Sequence, residues 1–144
     1  MIEIADEHLR EIRAHGERDY PFECCGLLIG RFENGRKVVS EPYAISNARE
    51  EAAKRNRFLI RPEELVRGER YAREKSLDVV GFYHSHPDHP ARWSQTDLAE
   101  AHWIGCSYVI TSVEKGKAAL TNSFELTGTD ENDKKLVDER IEVV

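Results

Sequence analysis

Apolar positions along this chain come in short blocks whose spacing switches between helical and extended periods. Leu9 and Ile12 share one helical face between Asp6 and His15, with Asp6 placed to cap the segment and Gly16 to end it. Cys24 to Phe32 is an apolar run too short and too glycine-punctuated for a helix, and it predicts a buried strand. Glu33-Asn34-Gly35-Arg36 is a hairpin turn signal, because Asn-Gly tolerates the positive φ of a type I′ turn. The return strand runs from Lys37 to Ile45, with Pro42 marking an edge or an early bend. Ser46 to Arg57 is polar and predicts a loop, and Phe58 to Ile60 a short strand. Pro62 opens a helix that continues through Lys75 and buries Leu65, Val66 and Ala72, although Gly68 weakens its middle. Asp78 to His86 is the central strand. Ser94 to Ile104 is the next helix, turning Leu98, Ala101 and Ile104 inward and ending at Gly105. Strands follow at Cys106–Val113 and Lys117–Leu126, then a loop at Thr127–Asp133 and a last short strand at Ile141–Val144.

This mixture predicts an α/β fold in which residues 1–144 form one domain. The formal net charge of −6 argues against a nucleic-acid partner, which would call for a basic patch. No apolar run approaches the roughly 18 residues of a membrane span. Met1-Ile2-Glu3-Ile4 lacks the basic region and apolar core of a signal peptide. Three cysteines without a Cys-x-x-Cys pair suggest no disulfide framework, so the expected compartment is the reduced cytoplasm.

The chemistry concentrates in Gly81 to Asp97, GFYHSHPDHPARWSQTD. His84 and His86 point to the same side of an extended strand, which Pro87 then stops. Ser94 and Asp97 share one face of the helix that follows. Two imidazoles and a carboxylate converging there would hold zinc with its fourth position open, as in catalytic sites. Ser-x-x-Asp before an apolar run is also a helix capping box, and the two roles are compatible for both residues. His89 is a conceivable further ligand, but between Asp88 and Pro90 it belongs to a loop. Cys24 and Cys25 point opposite ways on a strand, and with Cys106 they read as small buried residues. Trp93 is either a wall of a substrate groove or a hydrophobic staple onto Leu98.

His-Ser-His-Pro, six residues, then Ser-x-x-Asp resembles the JAMM motif of the MPN-plus metalloprotease family. Upstream, Pro21-Phe22-Glu23-Cys24-Cys25-Gly26-Leu27-Leu28-Ile29-Gly30 is similar to the segment that carries the family's catalytic glutamate, in the form of the small bacterial Mec-plus branch. The resemblance implies a JAB/MPN-like, cytidine-deaminase-like curved sheet, mostly antiparallel but mixed, flanked by helices. It implies Zn²⁺ on His84, His86 and Asp97, with Glu23 as general acid–base and Ser94 as an oxyanion donor. The implied activity is hydrolysis at the C-terminal Gly-Gly tail of ubiquitin-like or sulfur-carrier proteins. The rival expectation is a non-catalytic MPN scaffold, although such scaffolds typically lack the metal ligands present here. The oligomeric state is not legible. A RadC-type domain is disfavoured by the acidic balance, and a cytidine deaminase by the missing Pro-Cys-x-x-Cys.

Overall fold

Asn34 and Gly35 both adopt positive φ, 51° and 77°. They fold the strand Cys25–Glu33 (β2) back onto Arg36–Ile45 (β3), as the Asn-Gly signal predicts. The computed structural model describes residues 1–144. Around this hairpin lie β1 (Ile2–Ile4), α1 (Asp6–Asp19), a 3₁₀ turn (Glu51–Ala53), α2 (Pro62–Glu74) and β4 (Asp78–Pro87). They are followed by α3 (Gln95–Glu100), β5 (Ser107–Glu114), β6 (Lys117–Thr127), β7 (Lys135–Glu139) and β8 (Ile141–Val143). The eight strands form one mixed sheet in the order β7-β6-β5-β4-β2-β3-β1-β8. β4–β5, β1–β3 and β1–β8 are parallel, and the remaining pairs are antiparallel. This is the α/β curved mixed sheet with flanking helices that was expected. No helix is long and apolar enough to cross a membrane.

β7 and β8 stand at opposite ends of the strand order, yet only Arg140 separates them in the chain. The sheet must therefore curl until its two edges meet. Lys37 of β3 closes the curl by reaching Glu125 of β6 and Glu139 of β7. Glu139 also accepts from Ser107 and Ser123 (2.6 and 2.8 Å) and pairs with the Met1 amine at 3.3 Å. Burial works against the Lys37 charge, but the two carboxylates outweigh it and hold the ammonium proton more firmly than usual.

α1 runs on to Asp19 rather than ending at Gly16. That glycine is where the helix lies closest to the sheet: a Cβ there would sit 3.0 Å from Val113 Cγ2 and 3.4 Å from Ser85 Cβ. Gly68 serves α2 likewise, since a Cβ would meet Leu27 Cδ1 at 2.3 Å. Each helix covers one face of the sheet. Leu9 and Ile12 of α1 pack with Leu28, Val80 and Tyr83, and Ala72 of α2 packs with Leu27, Val79 and Phe82. The β2–β4 register slips at Leu28/Ile29, skipping Val80, and Val79 packs on the α2 side with Phe82 while Val80 packs on the α1 side with Tyr83.

Further expectations fail here: Val66 of α2 and Ile104, both expected to face the core, are exposed. Phe58–Ile60 forms no strand: the Leu59 amide donates to the Asn47 side chain (3.1 Å) rather than to a neighbouring strand, and the Phe58 ring stacks on the His84 ring with centroids 4.7 Å apart. α3 stops at Glu100 instead of reaching Ile104, because Lys134 Nζ bonds the carbonyls of Ala99 (3.2 Å) and Ala101 (2.7 Å) and draws the chain out of the helix. β1 and β7 carry no expected counterpart, since each is too short or too charged to signal a strand alone.

Replacing Lys37 with Met should cost roughly 3–5 kcal/mol, because Glu139 would remain buried without its main cation. A chemical-denaturation midpoint that does not move would show that closure rests elsewhere.

Candidate metal centre

β4 delivers His84 and His86 to one face, because strand side chains alternate. Ser85 between them faces the other way and accepts a hydrogen bond from the Cys24 amide (2.8 Å), while its own amide donates to the Cys24 carbonyl (3.2 Å). The middle residue of His-Ser-His thus ties the metal strand to the segment carrying Glu23. Pro87 ends the strand, and after a loop Ser94 caps α3. The full capping box forms: Asp97 N–H donates to Ser94 Oγ (3.1 Å), and Ser94 N–H donates to Asp97 Oδ2 (2.9 Å). Trp93 and Leu98 both pack against the core cluster that includes Ala91, Ile110 and Leu136, and Trp93 does not line the cleft, an arrangement that fits the staple rather than the groove wall.

The Asp97 carboxylate reaches both histidines, with Oδ1 3.2 Å from His84 Nε2 and Oδ2 3.1 Å from His86 Nε2. The two Nε2 atoms are 3.2 Å apart. Each of the three residues offers one ligand atom, and these atoms all lie within 4.8 Å of one another. His86 Nδ1 lies 2.8 Å from the Pro90 carbonyl, which can only accept, so Nδ1 carries a proton. In the neutral ring Nε2 then presents a lone pair to a carboxylate and to a second imidazole. Such lone-pair crowding calls for a cation among the three atoms, and the backbone bond to the outer nitrogen is the usual orienter of a metal-binding histidine. The donor set therefore fits a divalent metal.

Electrostatics point the same way. Burial lowers the His84 pKa and outweighs the Asp97 bond, which keeps the ring neutral and able to ligate. For Asp97, burial opposes ionisation, but the adjoining His84 and His86 rings and the Ser94 amide prevail and hold the carboxyl well below the usual range. His84 Nδ1 is buried without a partner.

Glu23 precedes β2 and is only 4% exposed. Its amide donates to the Lys54 carbonyl (2.7 Å), and its carbonyl accepts from Asn47 Nδ2 (2.9 Å). Burial first, then the charges of Asp97 and Glu100, push its carboxyl up to about 9, and its Oε1 has no partner. Glu23, His86 and Ser94 open on one cleft of about 420 Å³ together with Asn56, Arg57, His89 and Arg92. His89 is an exposed part of that wall and stands outside the ligand group. Cys24, Cys25 and Cys106 are buried free thiols, and burial pushes Cys24 up to about 12 and Cys106 to about 11.

Asn47 escaped the sequence reading. Besides Glu23 it bonds the Arg57 carbonyl (3.0 Å), and its Oδ1 accepts from the amides of Arg49 (3.0 Å) and Leu59 (3.1 Å). One amide thus pins both ends of the 47–59 loop to the glutamate. A lone Asn in a polar stretch carries no pattern that would have shown this.

A family model described as prokaryotic homologs of the JAB domain matches residues 5–127. A desampylase of Haloferax volcanii is 35% identical over 107 residues, 74% of this chain and 74% of the relative. A probable TtuB-protein conjugate cleaving protease of Thermus thermophilus is 33% identical over 112 residues, 78% of this chain and 70% of the relative. The solution structure of a Desulfitobacterium hafniense protein superposes with TM-score 0.84 at 28% identity, covering 100% of this chain and 93% of that one. A JAB1/MPN domain protein from Archaeoglobus fulgidus, at TM-score 0.59 and 19% identity over 100% and 97% of the two chains, shares the fold.

Two outcomes follow from the geometry. The neutral Glu23 of the metal-free fold opposes ionisation, so stability falls as pH rises from about 4.5, where the unfolded chain loses the proton, through about 9. Metal-free Glu23→Gln should therefore gain on the parent between pH 5 and pH 8, reaching on the order of 3 kcal/mol, in parallel thermal melts. Asn47→Ala should speed tryptic cutting at Arg49, Lys54, Arg55 or Arg57 severalfold, and an unchanged rate would show that the loop is held without that amide.

Proposed function

The chain belongs to the prokaryotic JAB family, and from that premise we propose that it is a zinc-dependent peptidase or isopeptidase. Its substrates are bonds at the C-terminal Gly-Gly tail of ubiquitin-like or sulfur-carrier proteins. The observation that carries the reading is the convergence of His84 Nε2, His86 Nε2 and the Asp97 carboxylate beside a cleft that Glu23 and Ser94 also line. The names of the two relatives, a desampylase and a protease of TtuB-protein conjugates, support the substrate class. Three buried free thiols suit a reducing compartment, in keeping with the cytoplasm.

Two imidazoles and one carboxylate are a ligand set that suits zinc. Zinc in that position supplies Lewis-acid activation of water and of the scissile carbonyl. Glu23 takes the proton of the attacking water and delivers it to the departing nitrogen. Burial holds its carboxyl high in the metal-free cleft, and a divalent cation held by the neighbouring group would favour its ionised, basic form. Ser94 Oγ already accepts from the Asp97 amide, so its hydroxyl proton is free to point into the cleft and meet the developing oxyanion. His86 is kept in its tautomer by the Pro90 carbonyl. A Gly-Gly tail suits a narrow cleft because it brings no side chains.

Zinc-loaded protein should trim a carrier extended beyond Gly-Gly, read by mass spectrometry, and a chelator should stop it. Glu23→Gln should lose about 10²–10⁴ in rate and Ser94→Ala about 10²–10³, both still binding zinc. Unchanged turnover in zinc-loaded Glu23→Gln would sink the mechanism.

A further inference from the structure

The two histidines of the metal group are held in different ways. His86 Nδ1 is tied to the Pro90 carbonyl at 2.8 Å, the kind of bond that usually orients a metal-binding imidazole. His84 is 2% exposed, and its Nδ1 has no bonding partner. An imidazole turns about its Cβ–Cγ bond in a broad well, so packing must fix the direction of His84 Nε2. The Phe58 ring supplies the wall: it stacks on the His84 ring with centroids 4.7 Å apart and planes 29° from parallel. Rotation of the imidazole would swing its edge into the phenyl ring.

Hydrogen bonds fix the backbone around Phe58. Asn47 bonds the residues on either side, the Arg57 carbonyl through Nδ2 (3.0 Å) and the Leu59 amide through Oδ1 (3.1 Å). Arg49 Nε donates to the carbonyl of Phe58 itself (3.2 Å). The same guanidinium reaches Glu100 Oε1 at 2.7 Å, and Glu100 lies about one helical turn beyond Asp97 on α3. Arg49 thus joins the backbone of Phe58 to the helix that carries the third member of the metal group. Phe58 also packs against the core cluster of Leu27, Val79 and Phe82, which limits how far the ring can move. We propose that Phe58 is a positioning residue of the metal centre: its stacked ring, with Arg49 as the clamp, aims His84 Nε2 in place of the hydrogen bond that His86 has. This inference rests on the metal reading of His84, His86 and Asp97, and it adds a division between the two imidazoles. His86 is fixed by a bond within its own loop, and His84 by an aromatic residue from a loop distant in sequence.

The test measures zinc affinity by competition with a chromophoric chelator. It also records the visible spectrum of cobalt-substituted protein, whose d–d bands report ligand geometry. Phe58→Leu should weaken zinc binding about tenfold and shift the cobalt bands at full occupancy, whereas Phe58→Tyr, which keeps an aromatic face, should restore both. Arg49→Gln leaves the ring in the chain and should move both readouts the same way by a smaller factor. The double variant should match Phe58→Leu, because the arginine acts through the ring. A role in packing alone would lower the melting temperature of metal-free Phe58→Leu and leave the cobalt bands of the saturated protein unshifted, and that outcome overturns the inference. So does a loss that Phe58→Tyr fails to recover; either result leaves the metal reading intact. Losses that add in the double variant overturn the part given to Arg49. If Phe58→Leu does not fold, Arg49→Gln carries the test, and parent-like bands there overturn the inference. If the parent binds neither zinc nor cobalt, the metal reading fails and the inference falls with it.

Discussion

A carboxylate buried between two imidazoles needs a positive charge, and the rest of the site is arranged around that need. The Asp97 side chain is 12% exposed, and those of His84 and His86 are 3% and 8% exposed. Water therefore does little to screen the three groups. His86 gives its Nδ1 proton to the Pro90 carbonyl, so its inner nitrogen can attract the carboxylate only by gaining a second proton or by sharing a cation with it. A divalent metal satisfies all three side chains at once, which neither neutral ring can do. Glu23 lies in the same dry region, where the charge of Asp97 adds to burial in keeping its proton on.

Bringing these groups together is the work of elements distant in sequence. The closed curl of the sheet, fastened by Lys37 between Glu125 and Glu139, fixes β4 among its neighbours. Ser85 locks β4 to the Glu23 segment, and Gly16 lets α1 lie directly over that junction. The capping box then fixes α3 by the same Asp97 side chain that faces the histidines. A capping role and a ligand role are commonly alternatives; here Oδ2 takes the Ser94 amide and the His86 ring together, since a carboxylate oxygen has more than one acceptor direction.

Much of this was legible without coordinates. The spacing of His84, His86, Ser94 and Asp97 pointed to the His84–His86–Asp97 group that the structure brings together, because each constraint is local: strand alternation for the histidines and one helical turn for Ser94 and Asp97. The strong apolar runs announced β2, β4, β5 and β6, and Asn34-Gly35 announced the hairpin. Weak signals misled where a distant partner decided. Gly16 looked like a helix end and proved to be a packing contact. Gly105 looked like the end of α3, but Lys134, from beyond β6, ended that helix earlier. Phe58 looked like a strand residue, and its ring lies on His84 instead.

What the sequence determined by itself was which residues form the candidate ligand group and their local registers, since these follow from backbone periods of two and three or four residues. Only the tertiary structure decided that Glu23 shares their cleft, that Asn47 and Ser85 hold it there, and that the Phe58 ring lies on His84. Those relations join positions tens of residues apart through single hydrogen bonds or shared space, and no periodicity along a chain records which side chain another will meet across a curled sheet.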